Sequence, residues 1–203
     1  VDKAVKLIRG PKGTEVKVLI LRSGVAQPFE KAITRDIIDI PTIETDFRTG
    51  GAGGASGGTA SAGGSGVGLR EDGIFVLRLF SFTASSPDLF RKALREFIES
   101  GSHKLIIDLR GNPGGYLEAA WDMASWFLPS GAQIVVEDFG GKRENVIYRS
   151  KGYNIFGKDL KLIILVDAGS AAASEIFAGA LQEHGVARLV GVKTFGKGSV
   201  QEL

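Results

Sequence analysis

Residues 104–115 read Lys-Leu-Ile-Ile-Asp-Leu-Arg-Gly-Asn-Pro-Gly-Gly. A short, continuous apolar run, Lys104–Leu109, is the signature of a strand buried on both faces. The glycine-rich turn Arg110–Gly115 follows, and then an apolar periodic stretch that reads as a helix to Leu128, stopped at Pro129. The same design recurs downstream. Leu162–Val166 is a second buried-type strand, Asp167-Ala168-Gly169-Ser170 is the turn, and a helix runs to about His184 with Gly185 as its C-terminal cap. Two strand–turn–helix units of this kind predict an α/β core with a mostly parallel sheet.

Outward from these units the pattern continues. Ile74–Phe82 alternates as a strand. Ser86-Pro87-Asp88 reads as a helix start, with Ser86 as cap, proline at the first helical position and an acid in the first turn. Leu89, Phe90, Ala93, Leu94, Phe97 and Ile98 give that helix one apolar face, and Ser100-Gly101 ends it. Gln133–Val136, Asn145–Tyr148 and Ala187–Gly191 read as further strands. Toward the N-terminus, Asp2–Ile8 reads as a helix end, Glu15–Arg22 as a strand and Phe29–Ile40 as one or two more.

Of the 29 glycines in 203 residues, ten fall in residues 50–68, a segment otherwise of Ala and Ser with one Thr and one Val. That composition reads as a flexible linker. The expected organisation is therefore 1–22 and 23–49 as small strand-bearing segments, 50–68 as linker and 69–203 as the core. Formal charge is +2, with no long run of one sign, which argues against a nucleic-acid stripe or a membrane patch. There is no cysteine, so thiol chemistry and thiolate metal sites are excluded. His103 and His184 stand far apart, and no metal-binding spacing is present. No apolar run reaches the ~18 residues of a membrane span, and Val1-Asp2-Lys3 does not read as a signal peptide.

In open α/β sheets, ligands collect at the carboxyl ends of strands, where helix N-termini offer free N–H groups. Residues 171–174, in the first turn of the second helix, can place a nucleophile there and donate to its oxyanion. Gly114 and Gly115 allow close backbone approach. Ordinary βα connections look the same at this level. Gly191–Ser199 (GVKTFGKGS) nearly matches a phosphate-binding loop, but Gly198 stands where the magnesium-binding Ser or Thr is required. Lys197, between two glycines, is a candidate general base, a role that needs a dry pocket to keep the amine neutral; a solvated lysine in a turn is the other reading.

Three motifs in order, Asp108–Gly115 (DLRGNPGG), Gly169–Ile176 (GSAAASEI) and Thr194–Gln201 (TFGKGSVQ), resemble those of the C-terminal processing peptidases, tail-specific serine proteases. The resemblance covers about residues 73–203. Residues 1–22, above all Lys6–Gly13, resemble the last helix and strand of that family's PDZ domain. The resemblance implies a protease core with crotonase/Clp-like ββα units, a partial PDZ remnant and a Ser–Lys dyad without cofactor or metal. It places the nucleophile at residue 172, the general base at Lys197 and a lysine-positioning glutamine at Gln201. It implies an oxyanion hole from the amides of Ala173 and a turn glycine, Gly114 being the expected one, with Gly115 and Glu175 in support. Partners would be protein or peptide C-terminal tails, not nucleic acid. Homo-oligomerisation is left open, and the setting would be a periplasm, cell envelope or thylakoid lumen.

The departure is Ala172. The family's pattern has serine there, and alanine has no oxygen to attack a carbonyl. The expectation is a catalytically dead protease, deliberately inactivated. A natural pseudoprotease, a peptide-binding scaffold and, at greater distance, a crotonase-like acyl-CoA enzyme are the alternatives. Ser170 and Ser174, each two residues away, are not expected to substitute, because two helical positions turn a side chain by ~200°.

Overall fold

The computed structural model describes residues 7–22, 24, 27–37, 41–45 and 68–199. The chain divides into two compact units, Val1–Ile40 and Pro41–Leu203.

In the first unit, β1 (Glu15–Ile20) and β2 (Phe29–Thr34) form an antiparallel hairpin, with Ile20 opposite Phe29 and Glu15 opposite Thr34. The Arg35 guanidinium ties the hairpin base together, donating to the carbonyls of Leu7, Ile8 and Glu15 and to the Thr14 hydroxyl. The hairpin spans the expected division at 22/23, so the structure groups these residues differently: β1 belongs with β2, and the unit ends at Ile40. Most of the helix expected at Asp2–Ile8 lies outside the described residues, as does all of the 50–68 linker except Gly68.

The second unit carries the core. Its elements are β3 (Ile43–Glu44), β4 (Phe75–Leu79), α1 (Ser86–Glu99), β5 (Lys104–Asp108), α2 (Leu117–Ala124), β6 (Gln133–Glu137), β7 (Val146–Arg149), β8 (Lys161–Val166), α3 (Ala173–Glu183) and β9 (Ala187–Gly191). The central sheet has the order β3-β4-β5-β8-β9. Only β3 is antiparallel to its neighbour; β4, β5, β8 and β9 run parallel. The predicted α/β class and mostly parallel sheet are what the structure has.

Strand register explains the core. Phe75, Leu105 and Leu162 stand side by side, as do Leu77, Ile107 and Ile164. Both rows are buried on one face of the sheet. α1, α3 and the segment that follows α2 bring Phe90, Phe177 and Phe127 together as three mutual edge-on pairs, with centroids 6.0–6.3 Å apart. Each fully buried side chain of this size contributes about 1.5–3 kcal/mol. The other face is less covered: Ile106 and Ile163 are half-buried, so the continuous apolar runs of β5 and β8 overstate burial on that side.

Three local expectations are corrected. The first helix begins at Ser86, not after it. Ser86 uses its hydroxyl to accept from the Thr83 N–H (2.7 Å) and to donate to the Ser81 carbonyl (3.1 Å), fixing the preceding turn. Ile98 is 54% exposed and lies off the buried face. The second helix stops at Ala124 because the chain tightens: the N–H groups of Trp126 and Phe127 reach back only three residues, to Met123 and Ala124. Phe127 and Leu128 are buried all the same.

Candidate active site

The loop after β5 and the loop after β8 meet at the carboxyl ends of these adjacent parallel strands, and almost every polar group there has a partner. Asp108, 2% exposed, takes the Arg110 guanidinium in a two-bond fork, Nε to Oδ1 at 2.9 Å and Nη2 to Oδ2 at 2.7 Å, and also accepts the Arg110 N–H. The carboxylate raises the guanidinium above its ordinary pKa through that hydrogen bond and its charge. Asp167 accepts the N–H groups of Gly111 (2.8 Å) and Gly169 (2.9 Å), which lowers its pKa despite partial desolvation.

Asn112 joins the two loops. It is fully buried; its Nδ2 donates to the Leu79 carbonyl at the end of β4 (2.8 Å) and its Oδ1 accepts the Gly114 N–H (2.9 Å). Its own carbonyl accepts from the Ala171 N–H and from the Ser174 hydroxyl, both at 3.0 Å. Ser170 is equally buried and donates to the Leu109 carbonyl at 2.8 Å. The two serines that flank Ala172 are thus internal fasteners, and neither hydroxyl is open to a substrate; burial and these bonds exclude them, not a helical rotation, because α3 begins only at Ala173 and neither Ser170 nor Ala172 is helical.

Ala172, at the start of α3, has φ 51° and ψ −113°, a backbone conformation that costs a residue with a Cβ about 1–3 kcal/mol. Its surroundings hold it there. Its N–H donates to Glu175 Oε2 (2.9 Å), and its carbonyl accepts from the N–H groups of Glu175 and Ile176. This sharp turn lifts the residue 172 side chain out of the backbone at the head of a helix. Gly114 fits against the same turn: a Cβ there would lie 2.5 Å from the Ala171 carbonyl oxygen and 2.9 Å from the Ala172 Cβ. Only glycine permits that approach, at φ 96°.

The amide donors fall differently from expectation. The Gly114 N–H, expected in the oxyanion hole, is occupied by Asn112 Oδ1, and the Gly114 carbonyl accepts from Phe82. The next residue, Gly115, bridges to Phe82 through its neighbours, and among the described residues its own N–H has no acceptor. The Ala173 N–H, first in α3, is likewise without an acceptor among them. Gly115 and Ala173 line one cleft of about 950 Å³ together with Ala172, Lys197, Tyr116 and Ile176.

Glu175 supplies the link to Lys197. Besides the Ala172 N–H, its carboxylate accepts the N–H groups of Gly196 (2.7 Å) and Lys197 (2.9 Å), and the Thr194 hydroxyl also bonds it. Desolvation alone would raise this carboxyl's pKa; the four donors outweigh it and hold the pKa below the usual glutamate value. The Phe195 N–H adds a bond to the Ser170 carbonyl. The segment bearing Lys197 is therefore pinned to the same turn that presents residue 172. Lys197 itself is exposed, not enclosed in the dry pocket that a neutral amine would need. Gln201 lies outside the described residues.

The facing wall of the cleft is the β6–β7 hairpin. Trp121 of α2 donates from Nε1 to the Arg149 carbonyl (2.6 Å), and its ring packs edge-on against Tyr148. The His184 ring nitrogen bonds the Gln133 carbonyl (2.7 Å) at the other end. Among the described residues, no cluster of His, Cys, Asp or Glu could hold a metal ion, and no helix is long and apolar enough to cross a membrane.

Sequence comparison matches residues 73–203 to Peptidase family S41. The carboxyl-terminal-processing protease of Synechocystis is 35% identical over 202 residues, covering 100% of this chain and 42% of the relative. The carboxy-terminal processing protease CtpA of Bacillus subtilis is 31% identical over 201 residues, covering 99% of this chain and 38% of that protein. The chain thus spans less than half the length of these relatives. Among solved structures, the photosystem II D1 C-terminal processing protease superposes with a TM-score of 0.65 at 24% identity, over 95% of this chain and 47% of that one, a likeness of fold. With a family match over more than half its length, this chain belongs to peptidase family S41.

Proposed function

We propose that this chain is the core of an endopeptidase that processes protein C-terminal tails, with its nucleophile position occupied by alanine so that it holds substrates without cutting them. The observation that carries this reading is the strained turn at Ala172. Ala172 is held at φ 51° at the head of α3 and lines the same cleft as Gly115, Ala173 and Lys197, the first two having N–H groups without an acceptor among the described residues.

With serine at 172, the hydroxyl would attack the scissile carbonyl and neutral Lys197 would take its proton. The tetrahedral oxyanion would lie between the Gly115 and Ala173 amides; its collapse would break the C–N bond as Lys197 returns the proton to the leaving amine, and water, deprotonated by Lys197, would then hydrolyse the acyl-enzyme and give residue 172 its proton back. Enclosure of Lys197 on substrate binding would supply the dry surroundings its neutral form needs, with Gln201 as its hydrogen-bonding partner. Asn112 and Glu175 are positioning residues in this scheme, the first setting the Gly115 amide and the second setting Lys197. Residues 1–22 are read as a partial PDZ remnant. The setting is read as a periplasm, cell envelope or thylakoid lumen, with protein tails as partners.

The test is reversion. Ala172→Ser should confer cleavage of a denatured protein or tail peptide, and Lys197→Ala in that revertant should abolish it. Cleavage that survives loss of Lys197 would remove the dyad. No cleavage by a folded revertant, in this chain and in one extended to the length of the relatives, would favour a peptide-binding scaffold.

A further inference from the structure

Phe82, three residues beyond the end of β4, does not line the cleft, yet its main chain and its ring reach two separate parts of the site. Its N–H donates to the Gly114 carbonyl and its carbonyl accepts from the Tyr116 N–H, both at 2.8 Å, a single rung of parallel pairing with Gly115. In parallel pairing, the residue between two such bonds turns its own N–H and C=O to the opposite side. The rung therefore directs the Gly115 N–H away from Phe82, and that N–H is without an acceptor among the described residues. The flanks of Phe82 are fixed in turn. Ser86, with no solvent exposure, donates from its hydroxyl to the Ser81 carbonyl and accepts the Thr83 N–H. The Phe82 ring is buried and meets the Phe177 ring, with centroids 6.0 Å apart. Phe177 lies in α3 four residues after Ala173, one turn along on the same face of the helix.

We propose that Phe82 is a positioning residue that sets the spacing of the two amides, its main chain holding Gly115 and its ring holding the helix that begins with Ala173. This rests on the reading of the cleft as a proteolytic site. Both donors must come within about 2.7–3.1 Å of one oxygen, at a place that oxygen takes only in the tetrahedral intermediate. A change in their spacing therefore weakens the transition state and leaves substrate binding alone. Asn112 fixes the near side of Gly115 through the Gly114 N–H, and Phe82 fixes both flanks and ties them to α3.

The test compares two buried phenylalanines. Phe82→Leu removes the ring contact with α3 and keeps an apolar side chain. Phe97→Leu makes the same change in α1, where the ring meets Phe75 and Phe156 and neither Phe82 nor Phe177. In the Ala172→Ser background, Phe82→Leu should lower kcat about 10- to 50-fold, short of the roughly 100- to 1000-fold of losing a donor outright, with KM within about 2-fold. The Ki of a peptide boronate should rise by the factor that kcat falls. Phe97→Leu should leave kcat, KM and Ki within about 3-fold at a comparable loss of melting temperature. Equal effects of the two variants, or a KM rise without a kcat fall, overturn the proposal. The chain as it stands supplies an arm free of turnover. Hydrogen exchange at the Phe82 and Tyr116 amides, the two bonds of the rung, should quicken about 10-fold beyond the β4 amides in Phe82→Leu and not in Phe97→Leu. Ser86→Ala frees the flanks of Phe82 without altering either ring; it should quicken the same two amides, and it serves where Phe82→Leu does not fold. Local quickening without cleavage by Ala172→Ser keeps the positioning of Gly115 and removes the protease. Cleavage with kcat and both amides unmoved overturns the role of Phe82 and keeps the protease.

Discussion

Replacing Asn112 by alanine tests how the two loops are held. The substitution removes a donor from the Leu79 carbonyl and an acceptor from the Gly114 N–H, in a site with no solvent exposure. Each orphaned buried group costs about 1–3 kcal/mol, so the loss should be about 2–6 kcal/mol. For a chain of this size each kcal/mol is about 2–4 °C of melting temperature, giving a fall of about 4–24 °C. The chain's two tryptophans are Trp121 and Trp126, in and just after α2, so their fluorescence in a denaturant titration reports the second unit. In the Ala172→Ser background, the same change should lower kcat about 10- to 100-fold with KM little altered, because it frees the segment that aims the Gly115 amide. A loss below about 1 kcal/mol, or a KM effect without a kcat effect, would refute the role given to Asn112.

The other predictions follow from the same geometry. Glu175→Gln leaves one oxygen where two now accept four donors, so amide exchange at Gly196 and Lys197 should speed up, measured by hydrogen exchange. The Glu175 pKa is lowered by folding. Its contribution is therefore complete above the ordinary glutamate pKa and is lost as pH falls through the lower folded value. Exchange at Lys197 should rise in that acid window and lose this pH dependence in Glu175→Gln. Gly115→Ala would set a Cβ 2.0 Å from the Phe82 carbonyl oxygen at φ 143°, so it should cost several kcal/mol in a denaturant melt. Ser170→Ala and Ser174→Ala should each cost about 1–2 kcal/mol, and in the Ala172→Ser background neither should abolish turnover.

The fold was legible where local chemistry and tertiary structure agree. Lys104–Leu109 and Leu162–Val166 read as strands from their continuous apolar runs, and the turns after them lead into helices as expected, although Ile106 and Ile163 stay half-buried. Ends were misread where side chains decide them. Nothing in the sequence says that Ser86 would bond backward to Ser81 and Thr83, or that the chain would tighten after Ala124 while Phe127 and Leu128 stay buried. The candidate site was legible as motifs but not as hydrogen bonds. Two adjacent glycines each offer an amide, and the choice between them turns on the Asn112 side chain, whose Oδ1 takes Gly114 and leaves Gly115 free. The strained turn at Ala172 was invisible for a related reason: alanine carries no preference for positive φ, and the conformation is imposed by Glu175 and the Asn112 carbonyl. Grouping of the first 40 residues was missed because a hairpin's pairing is long-range, and Arg35 gives no sign in sequence of closing it.

The central claim is that residue 172 sits at the nucleophile position, opposite the Gly115 and Ala173 amides. Its most direct test is a crystal structure of the Ala172→Ser chain treated with a peptide boronate. The account predicts a covalent bond from the residue 172 oxygen to boron, with one boronate oxygen about 2.7–3.1 Å from both amide nitrogens. An untouched serine, an adduct elsewhere, or a boronate oxygen directed to Gly114 instead of Gly115 would contradict it.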